Sequence, residues 1–321
     1  MKDMSFLSCT LDLVYPPISN QEGEWFWKDE EVREYVKGSK LYMLVHREEL
    51  KFQDIILEEL IRGVFRFKIK MGEFVSSEFK YAFTEDIGKL IDYHGPFNIE
   101  EGDKLLRITR ERDGEVLYWA TPDKILFDAI KGYIELEMQN EKDIEYLQTF
   151  DLLYVGISKK DDSFSRLFKK ENHHGRLEIL SNEYTKGETA RMTDELMILL
   201  FEVNWFNINI CDSIEQLADL NSYTDDEIAV LADAEKAFIC LLDTKYNKQK
   251  YKSYPKGKDG LFDKGLQGYM YGINYNLTLR TDCMEFCGKI DNYLNRDQIA
   301  VQGSELYYAH NGEMYVYKSD K

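Results

Sequence analysis

Leu152-Leu153-Tyr154-Val155-Gly156-Ile157-Ser158 is the stretch from which the rest of the chain can be placed. An apolar run that stops at a glycine and a hydroxyl predicts a strand. The segment from Ser163, with Phe164, Arg166, Leu167 and Phe168, predicts a short helix after it. His173 and His174 come just beyond. A core strand followed by an amphipathic helix would also read this way. What draws attention is the chemistry on offer, because a phenol can orient water, a guanidinium fork pairs with phosphate oxygens, and an imidazole can relay a proton.

Charge and composition bound the possibilities. The chain has 321 residues, room for two or three modules, and its 44% hydrophobic content can fill real cores. No run of about 18 apolar residues occurs, and Met1–Thr10 lacks a basic region leading into an apolar stretch, so the expectation is a cytoplasmic protein with no membrane span. Cys9, Cys211, Cys240, Cys283 and Cys287 are scattered and odd in number, which suits free thiols; Cys283 and Cys287 have no second pair to complete a zinc site. A net charge of −18 opposes general affinity for nucleic acid, whose phosphates must be neutralised by Lys and Arg. Two local clusters run the other way. Lys159, Lys160, Arg166, Lys169, Lys170 and Arg176 make one; Lys245, Lys248, Lys250, Lys252, Lys256, Lys258 and Lys264 make the other. Either is also compatible with a solvated loop.

Residues 1–130 read as an α+β module. Strands are expected over Ser8–Tyr15, Leu41–His46 and Val64–Met71, with helices near Glu30–Lys37 and Phe52–Arg62. Asp113-Gly114 predicts a hairpin between Leu105–Arg110 and Glu115–Trp119. His46 and His94 stand alone and suit structural roles. Further on, Gly132–Met138 alternates like a strand, whereas Arg176–Leu180 and Arg191–Phe201 read as helical. Val203–Tyr223 is mixed, with Trp205, Phe206, Ile208 and Ile210 suggesting an inserted element. Beyond residue 256 the chain reads as β-rich, ending in a hairpin across Asn311-Gly312.

One downstream helix carries a further signal. Thr224-Asp225-Asp226-Glu227 has the capping-box pattern, and Ile228, Leu231, Phe238 and Leu242 then form an apolar stripe. At about 100° per residue, Glu235 lies within roughly 20° of both Ile228 and Leu242, which predicts a carboxylate on the core face. Such a group needs an ion-pair partner, a proton or a metal. Asn247 follows in the turn after the helix, where its amide could bond backbone or phosphate.

Taken together, residues 132–255 resemble the GIY-YIG nucleases. Tyr154-Val155-Gly156 resembles the second half of that family's signature, Arg166 stands where its helical arginine falls, and His173 or His174 occupies its histidine region. Glu235, the apolar pair Phe238-Ile239 and Asn247 resemble its metal-binding glutamate and closing asparagine, and Lys252-Ser253-Tyr254-Pro255 is similar to its excision-nuclease branch. For the first signature tyrosine the candidates are Tyr133, in Gly132-Tyr133-Ile134, and Tyr146.

The resemblance implies an α+β fold: a small mixed sheet with flanking helices over residues 131–255, interrupted by the 181–223 insertion and flanked by the 1–130 module and the β-rich 256–321 segment. It implies a metal-dependent endonuclease that hydrolyses DNA phosphodiesters, with RNA not excluded and with the terminal modules choosing the substrate or answering a protein or ligand regulator. Glu235 would hold Mg²⁺ or another hard divalent cation. Arg166 would pair with phosphate, Tyr154 and an upstream tyrosine would position or deprotonate water, and a histidine would relay the proton. Lys159, Lys160, Lys169, Lys170, Arg176, Asn247, Lys248, Lys250 and Lys252 would contact nucleic acid. A catalytically silent module of the same fold, and a purely protein-binding component favoured by the acidic total charge, are the alternatives.

Overall fold

The computed structural model describes residues 4–57, 64–82, 96–169, 174–210, 226–290, 292 and 295–317. The described residues are mixed α+β and strand-rich, with 41% in strands and 24% in helices. Among the described residues no helix is long and apolar enough to cross a membrane.

The chain opens with β1 (Met4–Leu13) and β2 (Ile18–Ser19), then α1 (Asn20–Phe26), α2 (Glu30–Tyr35) and β3 (Leu41–His46). Ser19 caps α1 in a full capping box with Glu22. A long excursion follows. β4 (Leu50–Ile56), β5 (Val64–Met71), β6 (Phe74–Val75) and β7 (Phe79–Ala82) belong to a five-stranded sheet, and β8 (Phe97–Glu101), β9 (Leu106–Arg110) and β10 (Val116–Ala120) make a three-stranded one. After α3 (Pro122–Ile130), β11 (Glu135–Met138) closes the five-stranded sheet by pairing with β7. The excursion has its own core, in which Phe52, Phe65, Phe67, Phe79 and Tyr81 pack together.

The chain then returns through α4 (Lys142–Leu147) to β12 (Thr149–Ile157), α5 (Ser163–Phe168), α6 (His174–Asn182), α7 (Met192–Glu195), β13 (Leu196–Ile210) and α8 (Glu227–Leu242). Six strands finish it: β14 (Gly268–Ile273), β15 (Leu277–Arg280), β16 (Glu285–Gly288), β17 (Gln298–Gln302), β18 (Glu305–His310) and β19 (Glu313–Val316). The main sheet has eleven strands in the order β16-β15-β12-β3-β13-β1-β14-β17-β18-β19, with β2 paired to β13.

This order corrects the expected division at residues 130 and 255. β1 and β3 from the first segment, β12 and β13 from the second and β14–β19 from the third are hydrogen-bonded into one sheet. What separates instead is the excursion between β3 and β12, because its phenylalanine core is built from its own strands.

Several local expectations hold: the strands Leu41–His46 and Val64–Met71, the β9–β10 and β18–β19 hairpins, and helices at Glu30 and Arg176. Asn311 and Gly312 both have positive φ (50° and 79°), the conformation expected of a type I′ turn. Two helices were expected where strands form. Leu50–Ile56 pairs with β5, burying Leu50 and Phe52, and residues 58–63 lie outside the described residues. Leu196–Phe201 is buried at every position, paired with β3 along its length on one side and with β2 at Met197 and Ile198 on the other. A strand covered on both faces reads as a continuous apolar run, so periodicity cannot separate it from a buried helix.

α8 lies in the main core, buried at every position from Ala229 to Leu242 except Glu235, which is half-buried. Its N-cap is Asp226, whose carboxylate accepts from the Ala229 amide at 3.1 Å; the Thr224 of the expected capping box lies outside the described residues. The buried carboxylate of Asp233 ties the helix down, accepting from Tyr254 Oη (2.5 Å), Tyr271 Oη (2.8 Å) and the Leu261 amide (2.7 Å). His46 is likewise structural: its Nε2 is 3.0 Å from Glu195, which also accepts from the amides of Lys186 and Gly187. His94 lies outside the described residues. Cys9, Cys240, Cys283 and Cys287 are free thiols.

Candidate active site

The site grows from the antiparallel pair β3 and β12. In β3 alternate residues serve opposite faces: Leu41, Met43 and Val45 enter the main core, while Tyr42 and Leu44 face the smaller core that also holds Leu153 and Phe164. The register of β12 shifts between Leu152 and Tyr154, bringing Tyr154 opposite Leu44 and Gly156 opposite Tyr42. A Cβ on Gly156 would stand 2.5 Å from both Cζ and Oη of Tyr42 and 2.8 Å from Cε1 of Tyr154. Glycine therefore lets the two rings lie across the strand. They stack with centroids 6.0 Å apart and planes 25° from parallel.

Arg166 reaches this pair from α5. Asp162 caps that helix through the Ser165 amide (2.6 Å), and Phe164 and Phe168 anchor its apolar side at 4.8 Å between ring centroids. Arg166 is left exposed, with its guanidinium acting on the Tyr42 hydroxyl.

Glu235 arrives from the opposite direction on α8. Arg166, Lys159, Lys236 and the Ile157 amide are the groups that act on its carboxylate in favour of the charged form. Burial outweighs all of these and pushes the carboxyl up to about 7. Burial also holds both phenols above the ordinary tyrosine value, with Arg166 pulling them back. At neutral pH the phenols keep their protons, so they can orient a water or a phosphate oxygen rather than take a proton.

Asn247 takes the backbone-bonding role, the first of the two its amide could fill. It is buried, with Oδ1 accepting from the Val155 amide (2.9 Å) and from Thr244 Oγ1 (2.7 Å), and Nδ2 donating to the Val155 carbonyl (2.8 Å). It clamps β12 beside Tyr154 and does not present its amide to a ligand. Replacing it with alanine strips both backbone groups of Val155 of their partner. Asn247→Ala is therefore expected to lower stability by about 2–4 kcal/mol, read from the denaturant midpoint at unchanged slope.

Tyr154, Arg166 and Glu235 thus come together; other expected site residues do not. Gly132 adopts φ +75° and bonds back to the Ala129 carbonyl, so Gly132-Tyr133-Ile134 ends α3 instead of opening a strand, and Tyr133 is 64% exposed beside Phe127. Tyr146 packs on Phe74 at 4.4 Å. Arg176 is buried, donating to Asn20 (2.7 Å) and Glu24 (2.8 Å). Lys169 pairs with Asp161, Lys250 with Asp243 and Lys248 with Glu178, at 2.8, 3.1 and 3.7 Å. Lys159, Lys160 and Lys252 are exposed. His173 and Lys170 lie outside the described residues. His174 opens α6, and a Cβ on the next residue, Gly175, would stand 3.9 Å from the Tyr154 ring.

Tyr42 is the site residue that sequence reading missed. Its strand was expected over Leu41–His46, but the tyrosine lies more than a hundred positions before Tyr154, and only the pairing of β3 with β12 makes them neighbours.

The chain matches no known protein family, no curated protein and no solved structure.

Proposed function

We propose that the protein is a metal-dependent endonuclease of GIY-YIG type acting on DNA. Tyr42 and Tyr154 serve as the two signature tyrosines, Arg166 as the phosphate-binding arginine and Glu235 as the metal-binding acid. The observation that carries this reading is the meeting of these four side chains from three separate parts of the chain around a half-buried carboxylate.

The donor set fits a hard divalent cation. Glu235 is costly to ionise where it sits, a cost that a bound cation offsets. Mg²⁺ commonly keeps several waters and uses one or two carboxylates with substrate phosphate oxygens, so one protein carboxylate suffices. When bound, it would neutralise charge developing on the scissile phosphate. Arg166 pairs with the phosphate through its planar fork, and the two phenols donate hydrogen bonds that orient the attacking water and a phosphate oxygen. The passage of Gly175 beside Tyr154 supports a histidine of the His173–His174 pair as the proton relay. Lys159, Lys160 and Lys252 would guide the backbone towards the site, and the excursion between β3 and β12 would select or gate substrate.

Incubation of the full chain with supercoiled plasmid and labelled duplexes tests this reading, with Mg²⁺ or Mn²⁺ supplied. Nicking should occur and should fall about 10²–10³-fold in Arg166→Ala. Salt-dependent DNA binding without cutting under any metal would overturn the enzyme and leave the silent module.

A further inference from the structure

A cavity of about 360 Å³ lies away from the tyrosine pair, between α1, the start of α3, α7 and the three-stranded sheet. Its aromatic lining comes from Trp25, Phe26 and Trp119, with Phe26 and Trp119 centroids 6.2 Å apart and Trp25 63% exposed. The bases that line it are all engaged by carboxylates. Arg47 forms a two-pronged pair with Asp123 (2.8 and 2.7 Å), Arg107 pairs with Glu100, Lys104 with Glu49 and Asp194, and Arg191 with Asp194.

Glu22 is the exception. One oxygen accepts from the Ser19 amide at 2.7 Å as part of the α1 capping box, and among the described residues no basic side chain pairs with it. The other charges that act on it, Asp123 and Glu49, have the same sign, and burial and these neighbours raise its pKa. An unmatched carboxylate beside aromatic rings is the arrangement that recognises an organic cation, because ring faces and carboxylate both attract positive charge once water is displaced.

We propose that this cavity binds a small organic cation with a flat apolar body, of the arylammonium or amidinium class, with its charge on Glu22 and its body among Phe26, Trp119 and Trp25. The other face of α1 supports the proposed catalytic helix. Gly23 lies against Phe168, where a Cβ would come within 2.3 Å of the ring, and Trp27 packs on Phe164 and Phe168 at 5.8 and 6.4 Å. Asn20 and Glu24 hold Arg176 of α6. A ligand seated on Gln21, Glu22, Trp25 and Phe26 would therefore brace the element against which the Arg166 helix packs.

Calorimetric titration of the full chain with benzamidinium and phenethylammonium tests the site, with benzamide and benzoate as neutral and anionic controls. Both cations should bind saturably, and each control at least tenfold more weakly. Glu22→Gln keeps the capping hydrogen bond and removes the charge, so it should weaken the cations at least tenfold. Trp119→Leu should weaken them as well, and it reads the aromatic wall independently of α1. Equal affinity for benzamide or benzoate, no saturable cation binding, or unchanged affinity in both variants would overturn the proposal. None of these readouts requires DNA cleavage, so this site can stand or fall apart from the nuclease reading.

Discussion

Glu235→Gln is expected to remove metal-dependent cleavage while making the folded protein more stable above neutral pH. Both effects have one cause. Glu235 is the half-buried position on an otherwise buried stretch of α8, and burial raises its carboxyl to about 7 from the ordinary 4.5 despite Arg166, Lys159, Lys236 and the Ile157 amide. Between those two pH values the folded chain holds a proton that the unfolded chain has released. Stability contributed by this group is therefore greatest at low pH and is lost as pH rises from about 4.5 through about 7. Glutamine is never charged, so relative to wild type it should gain about 1–3 kcal/mol at pH 8 and almost nothing at pH 4.5. Cleavage should fall by about 10³-fold or more, since no anionic ligand for the metal remains. In wild type, the cutting rate at low Mg²⁺ should climb as pH passes about 7, and added Mg²⁺ should move that rise to lower pH because the cation competes with the proton. Thermal unfolding at the two pH values and plasmid nicking check the set. A variant that cuts like wild type, or that gains equally at both pH values, would contradict it.

Gly156→Ala should damage the same site by a steric route. The added methyl carbon would lie 2.5 Å from Cζ and Oη of Tyr42, a residue only 5% exposed, and 2.8 Å from the Tyr154 ring. Tyr42 stacks on Tyr154 and lies within the influence of Arg166, so the strain is expected to part the side chains of the site. Destabilisation of about 1–3 kcal/mol is expected from overpacking, with about a 10²-fold loss of cleavage from misplacement of roughly an ångström. Adding Tyr42→Leu should recover much of the stability by removing the ring while leaving cleavage lost. Recovery of both would show that the tyrosine pair does not serve catalysis.

How much of this was legible beforehand depended on range. Strand β12, the Arg166 helix and α8 could be placed because each has a local cause: an apolar run stopped by Gly156, a segment from Ser163 carrying Phe164, Leu167 and Phe168, an apolar stripe. Glu235 was singled out on that stripe, although the helix buries nearly its whole circumference and Ile228, seven residues earlier, is 50% exposed. The acid thus lies on the least covered face and not on the core face. Gly132-Tyr133 was taken for a signature because a glycine before a tyrosine looks alike at a strand start and at a helix stop; the positive φ at Gly132 distinguishes them. Arg176 reads as a nucleic-acid contact because a charged side chain looks available until its partners are known, and Asn247 leaves backbone and phosphate both open for the same reason; the partners, Asn20, Glu24 and Val155, are remote in sequence.

Taken alone, the amino-acid sequence determined what neighbouring residues can settle among themselves: hairpins at Asp113-Gly114 and Asn311-Gly312, the caps and stripes of the helices, and the chemical types able to handle a phosphate. The tertiary structure decided which of those residues meet. The strand holding Tyr42 is joined to the strand holding Tyr154 through an excursion with a core of its own, and closing so long a loop adds little free energy per extra residue, so spacing along the chain carries almost no trace of it. Burial was decided there too, and with it the raised carboxyl of Glu235, because the cost of charge depends on what surrounds a group in space and not on what precedes it in the chain.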